Sequence, residues 1–264
     1  MPSAADLYYY AYPAGQNDTI PVVLIHGAGG THLFWPVEVR RLPGYRILAL
    51  DLPGHGKSGG CCQQSIQAYA SQVTGWMDAI GLRQAVWVGH SMGAAICLAL
   101  AIQFPERVLG IGLVGGGASL PVRSDILEYA ASPRTLRKAI EILVSLGFSA
   151  SANSRLVELA GQRMLETRPS VFYGDLLACN SFDVTEQLRE IRRPCLVLCG
   201  SEDQLTPPRK AQFLASTIRR ARLRTIPEAG HMVMLEQPQA VAEALVDFLD
   251  GILPKRKIRA RATA

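Results

Sequence analysis

A serine, an aspartate and a histidine, each placed where a strand-like run gives out, could together carry acyl-transfer chemistry in this chain. Ser91 lies in Gly89-His90-Ser91-Met92-Gly93, a match to G-x-S-x-G. The apolar run Ala85-Val86-Trp87-Val88 leads in, and the small-residue run Gly93-Ala94-Ala95-Ile96-Cys97-Leu98-Ala99-Leu100-Ala101 leads out, so the serine is expected on a strand-to-helix turn. Such a turn strains the serine backbone, needs glycines around it, and aims the following N–H groups at the place where negative charge would develop. An incidental serine in a glycine-rich turn is the competing reading, because five-residue matches arise by chance. A serine hydroxyl is a poor nucleophile at neutral pH and needs a base, which in turn needs an acid to orient it. The chain has five histidines, His26, His32, His55, His90 and His231. His231, in Glu228-Ala229-Gly230-His231-Met232, follows the strand-like Leu223-Arg224-Thr225-Ile226 and precedes a final helix, a position suited to the base. Asp203, in Cys199-Gly200-Ser201-Glu202-Asp203, follows the apolar Cys195-Leu196-Val197-Leu198 and suits the acid, with the adjacent Glu202 as its runner-up.

The order Ser91, Asp203, His231 resembles that of the α/β-hydrolase superfamily, and the resemblance spans nearly all of the chain. His26-Gly27-Ala28-Gly29-Gly30 after Val22-Val23-Leu24-Ile25 is similar to the family's oxyanion loop, and Asp51-Leu52-Pro53-Gly54-His55-Gly56-Lys57-Ser58 to the turn after its next strand. The resemblance implies that the backbone N–H groups of Ala28 and Met92 hold the oxyanion and that Asp203 rather than Glu202 is the acid. It also implies an ester or lactone substrate attacked through an acyl-enzyme, with no metal and no organic cofactor. An aspartate at position 91 would point to a dehalogenase or epoxide hydrolase, and Ser91 argues against both. The stretch from Phe182-Asp183-Val184-Thr185 to Pro207-Pro208 is similar to enol-lactonase-like and small-esterase branches. Perhydrolase or haloperoxidase chemistry and thioester hydrolysis use related triads. Carbon–carbon bond hydrolysis ranks lower, because its oxyanion loop usually carries a proline where this chain has Gly29-Gly30. A ligand-sensing receptor with an intact triad is the alternative outside enzymology. Of the remaining histidines, His26 is expected to brace the glycine turn, His55 to serve as a turn residue and His90 to pack or bond locally; for His32 a place at the site entrance and a solvated helix start both stay open.

These residues need a sheet to position them. Strand-like runs near 7–12, 21–26, 45–51, 85–90, 108–114, 194–199 and 222–226 alternate with helical patterns, which predicts an α/β fold with a mostly parallel sheet covered on both faces. Little polar alternation along the central runs agrees with burial on both sides. Residues 120–190 break the alternation: Ser132-Pro133 is expected to cap a helix carrying Leu136, Ile140 and Leu143, a second run carries Leu156, Leu159, Ala160 and Met164, and a third starts near Pro169 with Phe172, Leu176 and Leu177. The expected division is a core of 1–119 and 191–252, a helical lid of 120–190 and a basic tail of 253–264. The lid would cover Ser91 and the substrate-binding candidates Leu33, Phe34 and Trp35; a packed insertion with no gating role is the alternative. Arg134, Arg137, Lys138, Arg155, Arg163 and Arg168 are the lid cations that a carboxylate-bearing substrate would need.

At 264 residues and 48% hydrophobic, the chain can bury one substantial α/β core. Net charge is +5, and Lys255, Arg256, Lys257, Arg259 and Arg261 account for it, leaving 22 basic against 22 acidic residues elsewhere. A frayed tail explains that cluster without a nucleic-acid partner, since no aromatic interleaving accompanies it. Gly56-Lys57-Ser58 is not a phosphate loop, because Asp51 stands where its first glycine belongs, and the G-x-G-x-x-G match at 54–59 runs into Gly60-Cys61-Cys62 rather than a helix. No run reaches the ~18 apolar residues of a membrane span, and the first residues lack a signal-peptide pattern. The six cysteines look like core thiols and a turn pair rather than a disulfide framework or zinc site. A cytoplasmic protein acting on a small molecule is expected.

Overall fold

The computed structural model describes residues 3–12 and 21–252; the basic tail at 253–264 and Asn17-Asp18-Thr19, a glycosylation sequon only in a secreted chain, lie outside them. In chain order the elements are β1 Ser3–Ala4, β2 Leu7–Tyr12, β3 Val22–Ile25, α1 Val37–Arg40, β4 Ile47–Leu50, α2 Ile66–Ala79, β5 Ala85–His90, α3 Met92–Gln103, β6 Val108–Val114, α4 Ser124–Ala130, α5 Leu136–Gly147, α6 Ser154–Leu165, α7 Pro169–Asn180, β7 Cys195–Gly200, α8 Pro208–Thr217, β8 Ala221–Ile226, α9 Val233–Glu236 and α10 Pro238–Ile252. The strands form one sheet in the order β1-β2-β4-β3-β5-β6-β7-β8. β1 and β2 run antiparallel to their neighbours, and every pairing from β4 to β8 is parallel.

Every residue of β3, β4 and β5 is buried, as their unbroken apolar runs require. Successive side chains point to opposite faces: Val23, Ile25, Leu48, Leu50 and Trp87 enter a core closed by α2, α3 and α8, while Val22, Leu24, Ile47, Ala49 and Val88 enter one closed by α1 and α10. β8 is the sheet edge, and Arg222, Leu223, Arg224 and Thr225 are exposed along it. α10 buries Val241, Ala244, Leu245, Phe248 and Leu249 at helical spacing. Among the described residues no helix is long and apolar enough to cross a membrane.

Four helices, α4 to α7, lie between β6 and β7. An isolated antiparallel bridge between Ser119 and Asp183, with the Val184 N–H donating to the Ala118 carbonyl at 2.9 Å, joins the two ends of this insertion. Three helices fall where the sequence puts them, and Pro169 occupies the first turn of α7 as its fixed φ favours. Three details differ. α4 was not expected, being a single short amphipathic stretch that buries Ile126 and Ala130. α5 begins at Leu136 rather than Pro133, because Ser132 closes a preceding turn whose carbonyl accepts the Leu136 N–H at 3.0 Å. Leu159, expected on the inner face of α6, is 40% exposed.

Candidate active site

β5 ends at His90 and α3 begins at Met92, so Ser91 must turn the chain between them in one residue. It does so at φ 54 and ψ −115, a strained conformation for a residue with a Cβ. A Cβ at Gly89 would lie 2.1 Å from the Gly93 carbonyl oxygen, and one at Gly93 would lie 2.3 Å from that of Ile25. Both glycines are therefore dictated by packing. The Ser91 N–H donates to Val114 on the neighbouring strand at 2.9 Å, which anchors the turn to the sheet. Met92 supplies the first N–H of α3, a group with no acceptor within its own helix.

The loop after β7 folds around the Asp203 carboxylate, which is buried. Its Oδ1 accepts the backbone N–H groups of Leu205 at 2.9 Å and Thr206 at 2.7 Å, and its Oδ2 accepts the Thr206 hydroxyl at 2.7 Å. His231 reaches the same oxygen: its Nδ1 lies 2.9 Å from Asp203 Oδ2 and 3.1 Å from Thr206 Oγ1. A carboxylate can only accept, so Nδ1 carries the proton and Nε2 is left with its lone pair. Burial pushes the Asp203 carboxyl up, but the His231 ring and the hydrogen bonds from His231 and Thr206 outweigh it and hold the carboxyl below its ordinary range. Glu202 is exposed and accepts the Ala150 N–H at 3.3 Å, away from the imidazole.

Two further groups fix the His231 loop. His90 donates from Nε2 to the His231 carbonyl at 3.0 Å, with the ring centroids 4.8 Å apart. Burial, reinforced by the neighbouring His231 ring, lowers the His90 pKa to about 3, so it is a neutral strut. Its partner is 141 residues away in the chain, not local as expected. The Glu236 carboxylate accepts the Gly230 N–H at 2.8 Å and the Ser149 N–H at 2.9 Å, joining this loop to the end of α5. Sequence reasoning named neither Thr206 nor Glu236 as a site residue, because the bonds that matter, from Thr206 to His231 and from Glu236 to Ser149, join segments far apart in the chain.

The oxyanion-loop candidate is braced as expected at His26, whose Nδ1–H donates to the Gly27 carbonyl at 2.8 Å while Nε2 accepts the Leu52 N–H at 3.0 Å. Burial and the nearby His55 ring bring the His26 pKa down to about 4. Gly30 N–H closes the turn onto the same carbonyl at 3.1 Å. His32 is neither at the site entrance nor solvated: it is buried, and its ring and backbone both bond Asp51 Oδ1, at 2.9 and 2.7 Å. His55 is more than a turn residue, because its Nε2 lies 2.8 Å from Asp175, a buried carboxylate on α7 that sequence reasoning missed.

Ser91, His231 and Ala28 line one cavity, of which about 170 Å³ is open to the centre of a water-sized sphere. Its walls are mostly apolar and come largely from the insertion, including Leu143, Met164, Phe172 and Leu176. Of the three expected binding residues only Phe34 reaches this wall. Leu33 is 45% exposed and Trp35 is buried in the core beneath, because three consecutive residues of a tight helical turn point three ways. Among the described residues Arg123 is the one lysine or arginine on the wall, and its guanidinium is paired with Asp125 at 2.6 and 3.1 Å. None of the six expected lid cations lines the cavity; Arg155 pairs with Glu158 on α6, and Arg163 with Glu166 at its C-terminal end. Among the described residues no group of three histidine, cysteine, aspartate or glutamate side chains could hold a metal ion.

The model of the alpha/beta hydrolase family matches residues 22–244, and the chain belongs to that family. Among curated relatives, a pimeloyl-[acyl-carrier protein] methyl ester esterase of Edwardsiella ictaluri is 27% identical, over 93% of this chain and 98% of its own. A 2-hydroxy-6-oxo-6-phenylhexa-2,4-dienoate hydrolase of Burkholderia cepacia is 29% identical, over 89% of each. Among solved structures, the enol-lactonase of Burkholderia xenovorans LB400 superposes with a TM-score of 0.86 at 24% identity, covering 92% of this chain and 96% of its own, a likeness of fold. The chain is similar to hydrolases, an esterase among them.

Proposed function

We propose that this protein is a serine hydrolase that cleaves a small, neutral carboxylic ester or lactone through an acyl-enzyme on Ser91. The observation that carries the reading is the shared apolar cavity of Ser91 and His231, with the His231 Nδ1–H held by buried Asp203. Ser91 Oγ attacks the carbonyl carbon as its proton passes to His231 Nε2, and the backbone N–H groups of Ala28 and Met92 receive the charge on the carbonyl oxygen. Collapse of the tetrahedral adduct breaks the bond to the leaving oxygen, which takes the proton from His231. Water then attacks the acyl-serine as His231 accepts its proton, and collapse of this second adduct breaks the bond to Ser91 Oγ, which takes that proton back from His231 as the carboxylic acid leaves. Asp203 stays ionised and stabilises the imidazolium at each step.

The walls favour a neutral acyl group. A free carboxylate, as in a dienoate or an acidic enol-lactone, would need an unpaired cation, and Arg123 is already committed to Asp125. Each methylene buried on such walls contributes ~0.8 kcal/mol, so preference among short and medium acyl chains is graded. Unpaired thiols at all six cysteines support action in a reducing, cytoplasmic setting. The test is turnover profiling across neutral esters, lactones and thioesters, with Ser91→Ala as the blank. Ser91→Ala lowers kcat by roughly 10⁵–10⁶ and abolishes fluorophosphonate labelling. Equal labelling of wild type and variant removes Ser91 as nucleophile, and stoichiometric acylation without turnover replaces the enzyme with a receptor.

A further inference from the structure

Asp175 is fully buried in α7, and three donors converge on its carboxylate. Oδ2 accepts the Gly29 N–H at 2.8 Å and lies 2.8 Å from His55 Nε2, and Oδ1 accepts the Tyr69 hydroxyl at 2.5 Å. His55 Nδ1 lies 3.1 Å from the Pro53 carbonyl oxygen. Both ring nitrogens thus face atoms that can only accept, which makes His55 an imidazolium and the pair a buried ion pair of zero net charge. Burial opposes the protonated ring, but the attraction and hydrogen bond of Asp175 win, and the His55 pKa is raised. A buried carboxylate without such partners would be prohibitively costly.

What this pair grips is the oxyanion loop. Gly29 directly follows Ala28, sits at φ +64, and has no side chain to fix it. Its N–H is taken by Asp175, and its carbonyl accepts the Thr167 hydroxyl at 3.0 Å. Both partners belong to the insertion, one in α7 and one just before it. The ring of Phe172 fills the remaining side, where a Cβ on Gly29 would fall 2.4 Å from it. The insertion is thereby tied to the loop by two hydrogen bonds and one packed ring.

We propose that Asp175 and Thr167 are positioning residues: by holding both ends of the Gly29 residue, they keep the Ala28 N–H aimed at the reacting carbonyl oxygen. The inference rests on the acyl-enzyme reading above. It also assigns this end of the insertion a fixed, clamping role rather than that of a flap. Oxyanion donors act only if they are already oriented when charge develops, and losing one costs about 10²–10³ in kcat. A loosened donor therefore lowers kcat and leaves KM nearly unchanged, because the ground-state carbonyl makes little use of it.

The test compares Thr167→Val, Thr167→Ser and Asp175→Asn, with rates expressed per Ser91 titrated by a fluorophosphonate. Thr167→Val removes the hydroxyl at nearly constant shape and is expected to lower kcat about 10-fold with KM within about twofold. Thr167→Ser restores the hydroxyl and keeps the wild-type rate within about twofold. Asp175→Asn breaks the ion pair and lowers kcat by about 10²-fold. Affinity for an alkyl boronic acid, which places an oxyanion on Ser91, falls in step with kcat across the series. A merely structural role would lower the melting temperature and the titratable fraction while kcat per titrated site and boronate affinity stayed constant; that result overturns the proposal. If Asp175→Asn does not fold, the Val and Ser variants at 167 decide alone. Retained turnover in Ser91→Ala would instead overturn the acyl-enzyme reading and this inference with it.

Discussion

Acid should unfold this protein earlier than its carboxylates alone would dictate, because two of its internal struts are neutral imidazoles. His26 and His90 are buried, with pKa values brought from an ordinary 6.5 to about 4 and about 3. In the unfolded chain both rings take up a proton as pH falls through the ordinary value, while in the folded protein they stay neutral. The unfolded state then binds more protons, so stability falls on acidification by ~1.4 kcal/mol per pH unit for each ring. Across about two units below the ordinary value the two rings together cost ~5 kcal/mol, a third or more of a typical domain's ~5–15 kcal/mol. His55, with its raised pKa, acts in the opposite sense near the ordinary value, where the folded ring is protonated and the unfolded one is not, and offsets a minor part of this loss; lower in the window it is protonated in both states. Asp51 and Asp203, held below their ordinary 3.8, add a further loss only as the unfolded carboxyls begin to protonate. Urea unfolding at about pH 7 and about pH 4.5, followed by emission of buried Trp35, Trp76 and Trp87, measures the difference. A loss below ~1 kcal/mol would mean that these imidazoles are not held neutral, and the reasoning fails.

Two more outcomes are expected. His231→Ala should lose about as much kcat as Ser91→Ala, and the double variant little more than either; near-additive losses in single-turnover kinetics would show that the two residues do not act as a unit. For matched esters with and without a terminal carboxylate, kcat/KM should favour the neutral member, and Arg123→Ala should change the neutral rate less than about twofold, because its charge is already paired; a ten-fold preference for the acid, lost in Arg123→Ala, would reverse the assignment of substrate class.

Ser91 was legible in the sequence because its turn is sterically intolerant: the approach of Gly89 to Gly93 and of Gly93 to β3 forces glycine into fixed neighbouring positions. Asp203 and His231 were legible because each follows a recognisable strand within a few residues. The mostly parallel character of the sheet was readable from buried apolar runs, while β1, a two-residue strand, leaves no periodicity to read. Asp175 was illegible for the opposite reason. One acid in an otherwise apolar helix has no local signature, and its partners Gly29, His55 and Tyr69 lie 146, 120 and 106 residues away. Leu33 and Trp35 were misplaced because composition marks an apolar segment but not which of its members turns toward the cavity.

The bridge between Ser119 and Asp183 gives the insertion a narrow neck, since its two ends meet side by side before the chain rejoins the sheet. A segment that leaves and returns at one point can be exchanged for another of different length without stretching the path from β6 to β7. On the proposed function, the scaffold separates reaction from selectivity: Ser91, Asp203 and His231 lie on one side of the neck, and much of the cavity wall lies on the other. Transplanting a foreign insertion at this neck would be a route to new substrates, provided that the graft brings its own equivalents of Thr167 and Asp175.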